Sequence, residues 1–173
     1  MKRPLAVLVV LIGLASVVGT QPAQAASLSA GIGTVDPEGV RRTPWFTVNL
    51  RWKLGKRFLI EPEAGYWKKT TRLTPSASSI VQDRNVGLNF VYPIRQKSFD
   101  FFVAAGVGLH LLEPSTDVHG TVTAGERELK QALHVFGGAE YKLGGLTLFG
   151  AVRFDTVADA NQSKLYGGVR LGK

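Results

Sequence analysis

The sequence predicts an all-β protein, an eight-stranded antiparallel up-and-down transmembrane β-barrel. Three observations carry this prediction. Apolar and polar side chains alternate along stretches of about ten residues, the length that a tilted strand needs to cross a bilayer. The links between these stretches are alternately long and short, and the chain begins with a segment typical of exported proteins.

The first 25 residues form a separate element. Two basic residues near the start are followed by an apolar run of 14 at residues 5–18, and then by the A-x-A cleavage site Ala23-Gln24-Ala25. The run is too short for a membrane-spanning helix, and this order is that of a secretory signal peptide. We therefore predict a signal peptide at residues 1–25 and one barrel domain at residues 26–173.

The composition limits what the exported chain can do. Removing 25 of 173 residues leaves 148, which is one domain by length, and the formal net charge falls from +8 to +6 because Lys2 and Arg3 go with the leader. The chain has no Cys, so it depends on no disulfide. Basic residues spread along an exported chain argue against nucleic acid as a partner and favour anionic lipid.

Period-two alternation is clearest at residues 45–54. Val48 and Leu50 alternate there with Asn49, so one strand face is apolar and the other is polar. The same pattern predicts eight strands, at residues 28–35, 45–54, 58–67, 81–92, 99–112, 132–143, 146–156 and 164–172. Pro62 cannot donate to a sheet ladder, so we expect a bulge or an early end of regular pairing there.

The links between the predicted strands alternate in length. The long ones are residues 36–44, 68–80, 113–131 and 157–163, and the short ones are residues 55–57, 93–98 and 144–145. In an up-and-down series this order places all long links at one end, as in outer-membrane barrels with long outside loops. We expect the long links to be loops that either bind a partner, which the sequence does not identify, or are solvated and bind none.

A soluble barrel also alternates, with its apolar face inside, so other features decide which face meets lipid. The polar face carries small residues such as Gly106 and Gly108, which make room in a narrow interior. It also carries charges of both signs, which we predict to form an ion-pair network inside the barrel: Arg51, Lys53, Glu61, Glu63, Glu140, Arg153, Asp155 and Arg170. Aromatic residues lie near the ends of the apolar face, where we predict the membrane interfaces: Trp52, Tyr66, Tyr92 and Tyr141.

With this pattern the mature chain resembles the small eight-stranded outer-membrane barrels of Gram-negative bacteria, the OmpA/OmpX-like and porin-like barrel group. The resemblance spans residues 26–173 and rests on the leader, the strand number, the alternation and the closing Leu-Tyr-Gly-Gly-Val-Arg-Leu-Gly of residues 165–172. It implies location in the outer membrane after cleavage of the leader. Chains of this group usually end on an aromatic residue that the insertion machinery reads, whereas this one ends on Leu-Gly-Lys. We expect either that insertion depends on Tyr166 or that the chain belongs to an outlying branch of the group.

The polar face offers only weak candidates for catalysis or metal binding. Glu61 and Glu63 lie about 6–7 Å apart by strand rise, a spacing that suits paired-carboxylate catalysis, but ion pairing inside a barrel is the simpler interpretation. His110 and His134 lie at the outer halves of adjacent strands without the spacing of metal ligands. We predict no catalytic residue, no metal site and no cofactor.

One group of outer-membrane barrels, the lipid A deacylases, is similar in size and carries a His and a Ser two residues apart. Here Leu112, Thr121 and Phe136 stand two residues after the three histidines, so we predict that the chain is not an enzyme of that kind. Two function classes remain. One is an outer-membrane barrel with a plugged polar lumen and a structural or loop-mediated role, and the other is a soluble periplasmic lipocalin-like barrel that carries a small apolar ligand. An open pore is not expected, because eight strands leave too little lumen.

Overall fold

Nine β-strands make up most of the computed structural model, which describes residues 26–55, 57–96, 99–158 and 160–172. The strands are β1 (Ser27–Pro37), β2 (Thr43–Leu54), β3 (Phe58–Thr74), β4 (Ala77–Ile94), β5 (Asp100–Val118), β6 (Thr121–Ala124), β7 (Glu128–Leu143), β8 (Leu146–Val157) and β9 (Gln162–Leu171). Among these residues no helix is both long enough and apolar enough to cross a membrane. The predicted signal peptide lies outside the described residues.

Eight of these strands close into a barrel. Each pairs antiparallel with its neighbours in the order β1, β2, β3, β4, β5, β7, β8, β9, and β9 pairs with β1, where Leu171 lies opposite Leu28. Within the described residues, β6 pairs with β5 alone and lies outside the closed order. The prediction of an eight-stranded antiparallel up-and-down barrel is confirmed, and β1 and β9 form its seam.

The apolar side chains of the barrel strands point outward. In β2, Phe46, Val48 and Leu50 are exposed, whereas Thr47 and Asn49, which alternate with them, are buried in the interior. An apolar outer band around a polar interior is the arrangement of a transmembrane barrel. A soluble carrier of an apolar ligand needs the reverse arrangement, because its ligand occupies the interior.

The prediction that residues 68–80 form a loop is wrong. β3 and β4 pair across this whole segment as far as Thr74 opposite Ala77, with one register shift between Arg72 and Thr74. Only two residues separate the strands. The segment is polar on both faces, so it lacks the apolar alternation that predicts a strand at the level of the membrane.

The predicted loop at residues 113–131 is also wrong for most of its length. β5 continues through its first residues, and a tight turn at His119 and Gly120 leads back into β6, which pairs with β5. His119 has a φ of 51° and Gly120 a φ of 83°, left-handed values that suit such a reversal. β7 then begins at Glu128, so only a short link remains.

These strand extensions form a protruding sheet, here called the fin. It consists of residues 68–74 of β3, 77–82 of β4, 113–118 of β5 and 121–124 of β6. Pairing of β4 with β5 continues from the barrel into the fin without a break, from Asp83 opposite Leu112 to Ala77 opposite Val118. At ~3.3 Å per residue, the fin part of β3 is about 23 Å long. We call this end of the barrel the fin end and the other the short-turn end.

Pro62 interrupts the pairing of β3 with β2 without a bulge, and on its other side it lies in register opposite Leu88 of β4. The register of β2 on β3 is the same on either side of it, with Asn49 opposite Glu63 and Trp52 opposite Ile60. β3 then continues to the tip of the fin. The expected bulge and the expected early end are therefore both wrong: proline removes one donor from the ladder, while the flanking pairs hold the register.

Two glycines on the inner wall make space for large interior side chains. A Cβ atom on Gly108 would lie 2.3 Å from Nε2 of His134 and 2.8 Å from the carbonyl oxygen of Val86. A Cβ atom on Gly65 would lie 2.5 Å from Oδ1 of Asn85. Real Cβ atoms do not approach so closely, because such contacts overlap van der Waals radii. Because these two glycines have no side chain, polar side chains of neighbouring strands can pack closely against the backbone of the barrel.

Candidate functional site

Aromatic side chains fill much of the barrel interior. Trp45 packs edge-on against Tyr166 with ring centroids 4.7 Å apart, Phe149 lies 6.0 Å from Tyr166, and Phe102 lies 6.1 Å from Phe136. All five are buried. The sequence predicts mainly polar and small residues on this face, and the prediction omits this aromatic packing, although period-two alternation places these rings inward. The interior is therefore a packed core that also contains charges.

Four charged residues form a cluster toward the short-turn end, here called the lower cluster. Arg51 lies between two carboxylates, with Nε 2.5 Å from Oε2 of Glu61 and Nη1 2.6 Å from Oε1 of Glu140. Arg170 also pairs with Glu140 and lies 3.6 Å from Glu61. Two positive and two negative charges therefore neutralise one another. Arg51 additionally lies 5.2 Å from the ring centroid of Phe102, close enough for a cation–π contact.

A second cluster, here called the Asp155 cluster, lies nearer the middle of the barrel. One carboxylate oxygen of Asp155 is 2.5 Å from Nε of Arg153, and the other is 2.5 Å from Nζ of Lys164. Arg153 also pairs with Glu63, and Nδ1 of His134 lies 2.9 Å from Asp155. All five side chains are at most 1% exposed. Buried charges require such pairing, since an isolated ion in an apolar interior is strongly unfavourable.

A third group centres on Asp83, near the fin end of the interior. Oδ2 of Asp83 accepts hydrogen bonds from Nε1 of Trp67 at 3.1 Å and from Nε2 of Gln162 at 3.0 Å. Nδ1 of His110 lies 2.7 Å from the same oxygen. Asp83 is fully buried and was not predicted as an interior charge. Its place in the sequence does indicate an interior position, because Asp83 lies two residues before Asn85 on the polar face of β4.

The structure brings His110, His134 and Asp155 together, with one possible ligand atom of each within 4.8 Å of the others. The spacing of these residues in the sequence gives no hint of this. Both oxygens of Asp155 already contact the cations Arg153 and Lys164. Two positive charges so close oppose the binding of a further cation. The geometry therefore favours an ion-pair cluster over a metal centre.

Seven of the eight residues predicted for the interior network line the interior. Four are in the lower cluster and three are in the Asp155 cluster: Arg51, Glu61, Glu140 and Arg170, then Glu63, Arg153 and Asp155. Lys53 is the exception, since it is exposed near the end of β2 and no ion pair involves it among the described residues. Lys164 and His134 join the Asp155 cluster and were not predicted as members.

The four predicted interface aromatics lie on the outside of the barrel in two groups. Trp52, Tyr92 and Tyr141 are near the short-turn end, and Tyr66 is at the fin end opposite Phe46. Further aromatic rings join the first group, with Phe58 5.7 Å from Tyr92 and Phe99 5.1 Å from Tyr141. Aromatic girdles at both edges of an apolar band are typical of outer-membrane barrels.

The fin has two outer edges, and they differ in charge. Along the β3 edge, residues 68–74 include Lys68, Lys69 and Arg72. The β6 edge is Thr-Val-Thr-Ala, without a charge, and all four of its side chains are exposed. Neither edge pairs with another strand in the part of the chain that the structure describes. An edge strand presents unpaired backbone N–H and C=O groups, and charged side chains are one way of blocking it.

No protein-family model matches this chain, and no curated protein matches it in sequence. Solved structures do match. Ail, the attachment invasion locus protein of Yersinia pestis, aligns with a TM-score of 0.62 at 12% identity over 87% of this chain and 99% of Ail. Neisserial surface protein A aligns with a TM-score of 0.59 at 17% identity over 85% of this chain and 95% of that one. The fold is that of the small outer-membrane barrels. The predicted resemblance is confirmed at this level.

The outer-membrane enzyme PagL shares the fold, with a TM-score of 0.50 at 14% identity over 84% of this chain and 98% of PagL. The fold is therefore compatible with catalysis as well as with other roles. Whether a barrel of this fold is an enzyme depends on its side chains. In the described residues, the hydrogen bonds of His110 and His134 go to Asp83, Asp155 and Arg153. None goes to a hydroxyl group, the usual nucleophile of a histidine-assisted acyl transfer.

Proposed function

We propose that this chain is a non-enzymatic barrel of the outer membrane of a Gram-negative bacterium, released from its signal peptide by cleavage after Ala25. Its lumen is plugged, its outer band contacts outer-membrane lipid, and its fin binds a partner outside the cell. The single observation that carries this function is the fin, a paired sheet that continues the barrel wall beyond the apolar band.

The interior supports the plugged lumen. The lower cluster, the Asp155 cluster and the Asp83 group follow one another along the barrel, with buried aromatic rings between them. The interior of an eight-stranded barrel is only just wide enough for its own side chains. In planar bilayers we therefore expect no steady conductance of the size that porins show, and a steady porin-like current would contradict the plug.

The β6 edge supports a partner that adds an extended strand. Main-chain hydrogen bonds to an exposed sheet edge give affinity for such a segment, and side-chain contacts give specificity. The β3 edge is obstructed by three basic side chains, whereas β6 offers an uncharged edge with Val122 60% exposed. The fin is held in place by its continuous pairing with the barrel, so it loses little conformational freedom on binding.

The solved neighbours support an outward-facing binding role. Ail is named an attachment invasion locus protein, and it has been crystallised with the heparin analogue sucrose octasulfate. At 12–13% identity the ligand is not transferred to this chain. What is transferred is the type of scaffold, a small barrel that presents its outer end to molecules in the surroundings.

The β6 edge can be tested with a random peptide library displayed on phage, selected against the mature protein in lipid nanodiscs. Selected peptides should bind the wild type and bind Val122→Lys at least about tenfold more weakly, because a charge on the edge disrupts strand addition. Leu73→Lys is the matched control, since Leu73 is also 60% exposed but lies on the β3 edge. Failure to enrich any peptide, or equal binding by Val122→Lys, would refute the β6 site.

A further inference from the structure

Basic side chains form a one-sided patch where the apolar band ends at the fin. On the outer face of β3 and β4, Tyr66 lies opposite Arg84, and Lys68 lies opposite Gln82. Residues diagonal to one another on one sheet face are neighbours, so Lys68 and Arg84 share this surface just beyond the interface aromatic Tyr66. Both basic side chains are exposed.

A buried carboxylate holds part of this patch in place. Glu113 of β5, opposite Gln82, has a side chain only 7% exposed. Its Oε1 lies 2.7 Å from Nε of Arg127, and its Oε2 lies 3.5 Å from Nη1 of Arg84 and accepts a hydrogen bond from Gln82 at 2.7 Å. Two arginines thus contact one carboxylate, and together with the nearby Lys68 they leave a net charge of +2 on this rim. The two arginines keep most of their surface exposed, at 59% and 72%.

Among the described residues, the rest of the rim does not carry such a surplus. Where β1 joins β2, Arg42 is balanced by Asp36 at 3.4 Å. The outward residues at the corresponding ends of β8 and β9 are the neutral Thr156 and Ser163. If the basic residues served only a general attraction to anionic lipid, they would not need to lie on one side of the barrel. A charge confined to β3, β4 and the link between β6 and β7, around Glu113 of β5, is instead the property of a local site.

We infer that Lys68, Arg84 and Arg127, of which Glu113 holds the two arginines, bind the phosphate of a lipid head group in the leaflet at the fin end. The chemistry fits in two ways. An arginine fork donates two parallel hydrogen bonds to phosphate oxygens, and lysine adds a mobile point charge. The patch lies at the level where head groups meet the apolar band, because Arg84 lies between the outward-facing Tyr66 and Leu111, and Lys68 follows Tyr66 toward the fin. The inference uses the membrane placement of the barrel and is independent of partner binding at β6.

The test is native mass spectrometry of the mature protein released from detergent with added lipids. The probes are phosphatidic acid, which has a phosphate monoester, and phosphatidylcholine, whose phosphate is masked by choline. The wild type should prefer phosphatidic acid. Each basic residue near an anionic lipid surface strengthens binding about fivefold, so Lys68→Gln/Arg84→Gln should bind phosphatidic acid roughly 25-fold more weakly. Arg41→Gln/Arg42→Gln is the matched control, because it removes the same charge at the same end of the barrel.

Three outcomes would overturn the inference. They are an equal loss in the control variant, no preference between the two lipids, and tight binding of inorganic phosphate without any lipid preference. Lys68→Gln alone provides the decisive single variant, because its side chain is exposed and makes no described contact with Glu113. It should weaken phosphatidic acid binding about fivefold while the folded barrel still migrates as the wild type does on unheated gels.

Discussion

Arg153 and Glu63 form an ion pair in which neither side chain has appreciable contact with solvent. The two residues come from strands on different sides of the barrel, β8 and β3, so the pair spans the interior. Arg153 also contacts Asp155 and lies 5.5 Å from the ring centroid of Phe136. This one guanidinium therefore links two carboxylates and an aromatic ring. Breaking such a pair from one side leaves a buried charge without its partner.

Replacing Arg153 by Leu should lower the free energy of unfolding by about 3–5 kcal/mol, because Glu63 then stays buried without its cation. The measurement is urea-induced unfolding in lipid vesicles, followed by tryptophan fluorescence. Arg153→Leu/Glu63→Gln is the control, and it should regain part of the loss because the stranded charge is gone. If the double variant were no more stable than the single one, the ion pair would not be the cause of the loss.

Gly108→Ala should destabilise the barrel by about 1–3 kcal/mol, the range for overpacked interiors. Its new methyl group would meet His134 and the backbone of Val86. Gly150→Ala is a suitable control, because the nearest atom to a Cβ there is 4.0 Å away. The same unfolding assay should show little change for the control. Equal effects of both substitutions would indicate a general cost of losing glycine from a strand.

Val107→Arg should impair membrane insertion far more than Phe99→Arg. Both side chains are about half exposed on the outer face, at 56% and 50%, but Val107 lies in the middle of the barrel part of β5, opposite Leu88 and Leu133, whereas Phe99 precedes the first residue of β5. An arginine facing lipid costs about 2–4 kcal/mol at the midplane and close to zero at the interface. The fraction of folded protein after insertion into vesicles measures the difference. Equal impairment would place the two residues at the same depth.

Cysteine labelling should establish how the barrel is oriented. The chain has no native cysteine, so single substitutions give unambiguous signals. Val103→Cys should react with a lipid-phase probe and resist a water-soluble one. Thr121→Cys, in the exposed β6, should react with the water-soluble probe on intact cells. Labelling of Thr121→Cys only after the outer membrane is breached would place the fin on the periplasmic side.

The barrel was predictable from the sequence because lipid imposes a simple rule. At membrane depth every outward side chain must be apolar. The apolar residues at alternate positions, such as Val103 and Leu50, can therefore be assigned to the outer face from the sequence. The fin was not predictable by the same rule, because polar side chains occupy both faces of its β3–β4 segment and the alternation disappears after Trp67. The remaining signal was the run of Thr and Ser on either side of the β3–β4 turn, a weak one because β-propensity depends on context.

The members of the interior network were easier to predict than their partners. Alternation assigns Arg51 and Glu140 to the interior, but they are 89 positions apart in the chain. Their contact depends on the stagger of strands around the barrel, which no local pattern records. The group around Asp83 also depends on the closed barrel, because its member Gln162 lies 79 positions away in the chain. The type of a residue and the strand face that it occupies can be read from the local sequence. The partner of each interior charge depends on how the whole sheet closes.

The pairing of β1 with β9 has a consequence for how the protein is made. Until β9 arrives, β1 and β8 each present a row of free backbone groups, which invite aggregation in water and are not tolerated in hydrocarbon. The strand that removes both edges follows the other barrel strands in the chain, and closing so long a loop is slow. A chain interrupted before β9 would therefore leave both edges open.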